Sequence, residues 1–139
     1  MKTNKTLIYF ADLTHTGPVI SSNCFPLAAG LLGATLLREM PDLVDVEIFK
    51  YPRDLSEAVA RQMPRIIGFS NYSWNCNLAY EYAKQIKEAS PETIILFGGP
   101  NYGSVHDEMS WFWKRYPLID FYVVKEGEVA IVELVRALH

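Results

Sequence analysis

Four short polar segments carry the groups that could hold a ligand: Thr14-His15-Thr16-Gly17, Ser70-Asn71-Tyr72, Gly98-Gly99-Pro100-Asn101 and Glu126-Gly127-Glu128. Hydroxyls and the Asn71 and Asn101 amides both donate and accept hydrogen bonds, and Tyr72 offers a ring to stack on a bound group. Paired glycines permit positive φ and leave room for another group to lie directly on the backbone. The carboxylates of Glu126 and Glu128 suit a ribose or an amide. Each segment also has a local reading. Ser70 and Ser73 can cap the helix behind them, Gly98-Gly99 can form a tight turn, and Glu128 can stabilise a helix N-terminus. His15, His106 and His139 show no metal spacing together, and no Ser/His/Asp set can be nominated. No catalytic residue and no metal ligand is therefore assigned. The chemistry on offer is binding.

The elements that must position these segments follow from the apolar pattern. Leu7–Phe10, Val44–Phe49, Ile66–Phe69, Thr93–Phe97 and Asp120–Val124 are short apolar runs that read as strands. Between and after them, helices are expected over Phe25–Glu39, Leu55–Met63, Trp74–Ala89, Ser104–Trp113 and Glu128–Leu138. Ser22 or Asn23 can cap the first helix, with Pro26 in its first turn. Ser104 and Asp107 make a capping-box-like start for the fourth. Glu47 and Lys50 suggest that the second strand lies at an edge, since a central parallel strand is apolar on both faces. Trp111, Phe112 and Trp113 are adjacent on a helix, so one or two must face away from the core.

A strand followed by a helix, five times over, argues for an α/β fold. The expected form is a doubly wound five-stranded parallel sheet, flavodoxin- or Rossmann-like, in the order 2-1-3-4-5. Ligands of such sheets sit beyond the carboxyl ends of the strands. All four polar segments fall there. The first belongs to a long loop, Asp12 to Asn23, where a βα connection usually needs only a few residues.

Composition narrows the function classes. With 139 residues, half of them hydrophobic, the chain suits one domain with a sizeable core. A formal net charge of -3 without a Lys/Arg cluster argues against a nucleic-acid partner. Apolar runs are too short for a membrane span, and Met1 to Thr6 leads into a strand rather than a signal peptide. A cytoplasmic location is the default expectation. Cys24 and Cys76 are too far apart for a CxxC motif and too few for a disulfide framework.

In order and spacing, these pieces resemble the cobalamin-binding domain of B12-dependent radical SAM enzymes. The resemblance rests on a Pro-led helix start, Phe25-Pro26-Leu27-Ala28-Ala29-Gly30-Leu31, and on Gly68-Phe69-Ser70 ending a strand. It rests also on Ile94-Ile95-Leu96-Phe97-Gly98-Gly99-Pro100 and on Asp120 through Lys125-Glu126-Gly127-Glu128. It covers essentially residues 1–139 as a single domain. Lys125 departs from the pattern, standing where the family's last motif has glycine. Mutase-type relatives carry Asp-x-His-x-x-Gly, whose His ligates cobalt. Here Asp12-Leu13-Thr14-His15-Thr16-Gly17 puts the His one place late and the Gly one short, so no cobalt–His bond is expected.

The resemblance implies a corrin over the C-terminal sheet edge with its nucleotide tail entering the fold. Ser70 and Gly98-Gly99 would flank the tail, and Glu126-Gly127 would lie at its outer end. It also implies methyl transfer or a radical rearrangement carried out with a radical SAM domain, beyond His139 or on a separate subunit. That domain would hold S-adenosylmethionine and a 4Fe-4S cluster, for which this chain has no CxxxCxxC triplet. On its own the domain is not expected to be catalytic. Two other readings remain open on the residues alone. Thr14-x-Thr16-Gly17 echoes the phosphate loop of a flavodoxin-like FMN module, although Val19 stands where the last Thr belongs. A ligand-free protein-interaction domain is the other. A response-regulator receiver shares the fold, but Ser70 stands where it needs an Asp.

Overall fold

A computed structural model describes residues 5–17 and 24–139. Among them, five strands alternate with five helices. The order is β1 (Thr6–Ala11), α1 (Leu27–Glu39), β2 (Val44–Phe49), α2 (Pro52–Arg61) and β3 (Ile66–Ser70). There follow α3 (Cys76–Ala89), β4 (Ile94–Gly98), α4 (His106–Arg115), β5 (Phe121–Val123) and α5 (Glu128–Leu138). Every pairing is parallel and the sheet runs β2-β1-β3-β4-β5, as the alternating pattern predicts. Strand β2 is at an edge, with Glu47 and Ile48 partly exposed.

Successive strand residues point to opposite faces, so the two halves of each apolar run build two cores. Tyr9, Ile67, Phe69, Ile95 and Phe97 face α2, α3 and α4, packing with Leu55, Ala79, Ala83, Ile86 and Phe112. Ile8, Phe10, Ile66 and Leu96 face α1 and α5, packing with Leu36, Ile131 and Val135. Full burial of each large aliphatic side chain contributes about 1.5–3 kcal/mol. The Tyr9 hydroxyl, buried beneath α2, donates to the Gln62 carbonyl at 3.0 Å.

Element ends differ from expectation for local reasons. Helix α1 begins at Leu27 with Pro26 as its cap residue; the proposed caps Ser22 and Asn23 lie outside the described residues. Helix α2 starts about a turn earlier than predicted, because Pro52 serves as a first-turn residue that needs no N–H partner. Helix α3 starts at Cys76 rather than Trp74, since Asn75 Oδ1 accepts the Tyr72 N–H at 2.9 Å and holds the preceding residues in a turn. Helix α4 starts at His106 with no side-chain cap from Ser104. Instead the Ser104 N–H donates to Glu108 at 3.1 Å. Asp120 falls outside β5 but clamps it, its carboxylate accepting the Ile95 N–H at 2.7 Å and pairing with Lys87 at 2.9 Å. Of the three adjacent aromatics only Phe112 is buried. No helix among the described residues is long and apolar enough to cross a membrane.

Candidate functional site

At the carboxyl ends of β1, β3, β4 and β5, on the face shared with α1 and α5, the sheet opens into a cleft of about 230 Å³. Phe10, Leu96 and Val123 make its floor, with Ala28, Leu31 and Leu32 of α1 on one side and Ile131 of α5 on the other. Gly68 lacks the side chain that would collide with the Phe10 ring, so that ring can lie across β3. Polar groups sit only at the rim: Ser70, Tyr72, Lys125, Glu126 and Glu128.

This cleft gathers seven of the fourteen residues singled out in the sequence, namely Ser70, Tyr72, Gly98, Gly99, Glu126, Gly127 and Glu128. The other seven, Thr14, His15, Thr16, Gly17, Asn71, Pro100 and Asn101, are not in its lining. Thr14 is fully buried, and its N–H donates to the Lys50 carbonyl at 3.1 Å. His15 is exposed and turns to the next loop, where Nε2 donates to the Trp74 carbonyl at 2.8 Å. Asn75 Nδ2 donates to the Leu13 carbonyl at 3.1 Å, a second stitch between the loops after β1 and β3. Asp12 is paired with Lys50 at 3.1 Å, and both side chains are largely buried. Tyr72 stacks on Trp74 with centroids 4.5 Å apart and planes 6° off parallel.

Asn71 is buried, and its amide is engaged within the protein. Nδ2 donates to the Asn101 carbonyl at 2.9 Å and to the Tyr122 hydroxyl at 3.0 Å, while Oδ1 accepts from Asn101 Nδ2 at 3.1 Å. Its backbone N–H donates to the Gly98 carbonyl at 2.7 Å, and its carbonyl accepts the Asn101 N–H at 3.2 Å. Asn71 and Asn101 thus fasten the loop after β3 to the loop after β4.

The same clasp changes the reason for Gly99. Its φ is +129°, a region that disfavours any side chain, and an added Cβ would stand 2.7 Å from the Asn71 carbonyl oxygen. The group lying on this glycine is Asn71, where the sequence suggested room for a ligand. Gly98 differs. It lines the cleft as Gly99 does, but its φ is not positive and an added Cβ would meet the Val123 carbonyl only at 3.3 Å.

Lys125 has φ +63°. The departure from glycine thus leaves a glycine-type turn in place, with lysine held in the left-handed region at a cost of roughly 1 kcal/mol. Tyr122, half-buried behind the cleft, donates from its hydroxyl to the Gly99 carbonyl at 2.8 Å. Burial pushes this phenol up to about 12, a shift opposed by its hydrogen bond with Asn71. Neither Tyr122 nor Asn75 stood out in the sequence. A tyrosine in an apolar strand reads as core, and only the fold reveals its hydroxyl's partners.

The lining suits a flat, mostly apolar ring system that carries polar groups at one end. An apolar cavity of roughly 150 Å³ takes benzene, so this cleft has room for a bicyclic base. The bared backbone at Gly98 allows such a ring close to the strand ends. Among the described residues, no group of three His, Cys, Asp or Glu could hold a metal ion.

Comparison with known proteins shows the family of the chain and its fold. A family model described as B12 binding domain matches residues 17–135. The chain is 32% identical over 114 residues to a 2-(S-pantetheinyl)-carbapenam-3-carboxylate methyltransferase of Streptantibioticus cattleyicolor. It is 29% identical over 116 residues to the cobalamin-dependent radical SAM methyltransferase TokK of Streptomyces tokunonensis. Each match covers 78% of this chain and only 16% of the relative's length. Among solved structures, apo OxsB, a cobalamin-dependent S-adenosylmethionine radical enzyme, superposes with a TM-score of 0.66 at 23% identity, covering 98% of this chain and 19% of that one. A cobalamin-binding protein from Desulfitobacterium hafniense gives 0.60 at 13%, covering 96% and 59%. The BeF3-activated DrrB receiver domain gives 0.62 at 18%, covering 96% and 97%. At these identities the structural likenesses show the fold alone.

Proposed function

This chain belongs to the B12 binding domain family, and on that footing we propose that it holds cobalamin at the C-terminal edge of its sheet as the cofactor module of a radical SAM methyltransferase. The observation that carries this reading is the apolar cleft between α1 and α5, floored by Phe10, Leu96 and Val123 and opened at Gly98. The nucleotide tail of cobalamin is a flat base on a polar ribose phosphate, and it fits the cleft with its base against the apolar floor. Ser70 then faces the tail from the end of β3, and Glu126 and Glu128 sit where a ribose or an amide would emerge. The corrin would lie across the mouth, over the stitched loops after β1 and β3.

When bound, cobalamin supplies a cobalt centre that can accept and hand on a methyl group. This chain's own residues bind it, orient it and keep water from the tail. The radical SAM domain, with its S-adenosylmethionine and 4Fe-4S cluster, belongs in this proposal to sequence outside the chain. Support for that context comes from the two methyltransferase relatives, of which the chain spans about a sixth. The FMN reading is disfavoured by a specific contact. A phosphate loop must offer backbone N–H groups to its anion, whereas the Thr14 N–H is committed to Lys50 and Thr16 and Gly17 lie outside the cleft.

Titration of hydroxocobalamin into the protein, followed by its visible spectrum, tests the proposal. A saturable spectral shift with a one-to-one endpoint is expected, together with no change in FMN fluorescence on adding the same protein to flavin. No spectral shift with protein in the high micromolar range, or quenching of FMN instead, would overturn it.

A further inference from the structure

Tyr122 lies behind the cleft rather than in it. Its ring stacks on Tyr102 with centroids 4.2 Å apart and meets Phe112 edge-on at 5.3 Å, both on the α4 side of the sheet. Tyr102 is itself held by the Trp113 indole N–H, which donates to its hydroxyl at 2.9 Å. From this fixed ring the Tyr122 hydroxyl reaches the sheet edge, donating to the Gly99 carbonyl and accepting from Asn71 Nδ2. Gly99 is a residue with no side chain and an unusual φ, so little in its own chain holds it. It rests on the Asn71 backbone, and Asn71 is bonded to Gly98, Asn101 and Tyr122. One phenol therefore ties three strand ends together, those of β3, β4 and β5.

We propose that Tyr122 is a positioning residue for cobalamin: from outside the cleft, its hydroxyl sets the Gly98–Gly99 wall against which the nucleotide tail is received. This inference rests on the tail-in-cleft reading above and adds a residue that touches no part of the ligand. The wall is glycine backbone, and its place is decided by hydrogen bonds instead of by packing of side chains. Removing the hydroxyl leaves the aromatic stack in place, strips Gly99 of its donor and leaves one Asn71 N–H without its acceptor. A wall displaced by even a fraction of an ångström meets a rigid base poorly. A phenol is protonated at physiological pH even at its ordinary value of about 10, so this hydroxyl is a donor there.

The test compares two corrinoids, cobalamin and cobinamide, the latter lacking the nucleotide tail. Affinities are measured by spectral titration for the wild type, Tyr122→Phe and Tyr9→Phe. Tyr9→Phe removes another buried hydroxyl, bonded to α2 at the opposite end of the fold, and reports what a merely structural loss does. The wild type should prefer cobalamin. In Tyr122→Phe the ratio of the two affinities should fall on the order of tenfold, through weaker cobalamin binding with cobinamide binding unchanged. In Tyr9→Phe the ratio should stay at its wild-type value. A wild type that binds both corrinoids equally would overturn the tail-in-cleft reading itself. A wild type that discriminates, with a Tyr122→Phe variant that discriminates as well, would leave that reading standing and overturn the role of Tyr122. Should Tyr122→Phe fail to fold, Asn71→Asp serves instead. It replaces the Nδ2 donor by an oxygen that accepts the Tyr122 O–H and draws it away from the Gly99 carbonyl, and an unchanged ratio there would equally overturn the proposal.

Discussion

Substituting alanine at Gly99 and at Gly98 separates holding the fold from receiving the ligand. At Gly99 the new Cβ stands 2.7 Å from the Asn71 oxygen and 3.1 Å from its nitrogen. Asn71 cannot step aside, because its N–H is bonded to Gly98 and its carbonyl to Asn101. A side chain at φ +129° also carries backbone strain of roughly 1–3 kcal/mol. Adding the overlap, Gly99→Ala should destabilise by about 3–5 kcal/mol, which is large against the total stability of roughly 5–15 kcal/mol for a domain. At Gly98 no positive φ is involved, and the nearest atom, at 3.3 Å, can yield by a few tenths of an ångström. Gly98→Ala should therefore cost about 1 kcal/mol while placing a methyl group on the cleft side. Urea denaturation of the unliganded variants gives the stabilities, and hydroxocobalamin titration of the folded ones gives the affinities. The reasoning fails if Gly99→Ala stays within about 1 kcal/mol of wild type, or if Gly98→Ala binds cobalamin undiminished.

Three further outcomes are expected. Lys125→Gly relieves a left-handed lysine and should raise stability by about 0.5–1 kcal/mol in the same denaturation assay; a lower midpoint would contradict this. For Tyr122, the folded phenol titrates at about 12 against an ordinary 10.0, so its contribution is fully present below pH 10 and is lost as pH rises towards 12. Tyr122→Phe should flatten that part of the stability–pH curve, and an unaltered slope would show that the phenol is not buried. Because His15 is turned to the Trp74 carbonyl, the Co(II) form of the bound cofactor should show no nitrogen superhyperfine splitting from it in electron paramagnetic resonance. A splitting that vanishes in His15→Ala would identify His15 as a cobalt ligand.

The order of the sheet was legible because burial on both faces leaves continuous apolar runs. Ile66–Phe69 and Ile94–Phe97 could hardly be anything but central strands. The site was legible to the extent that the fold rule places every βα loop at one edge. Within that edge, sequence could not separate residues that face a ligand from residues that face each other. Asn71 and Ser70 are neighbours of similar chemistry, yet Ser70 lines the cleft and Asn71 is engaged with Asn101, thirty positions away. Gly98 and Gly99 look alike in sequence and serve opposite sides of the clasp. The hydroxyl of Tyr122 was hidden by its apolar neighbours. In each case the deciding partner lies across the sheet, where one-dimensional spacing carries no information.

Strand β5 has three ladder residues against six in β1, and it closes one edge of the sheet. A short edge strand opens locally at a lower free energy than the central ones. The turn that follows it, with Lys125 and Gly127, forms one wall of the cleft, so opening of this edge would take apart one side of the site. A ligand at a hundred times its dissociation constant adds about 2.7 kcal/mol against any opening that releases it. In a cell, proteases sample such openings. The empty protein would be cleaved first between about residues 121 and 127, while the loaded one would be spared, so that cofactor supply would set the lifetime of the chain.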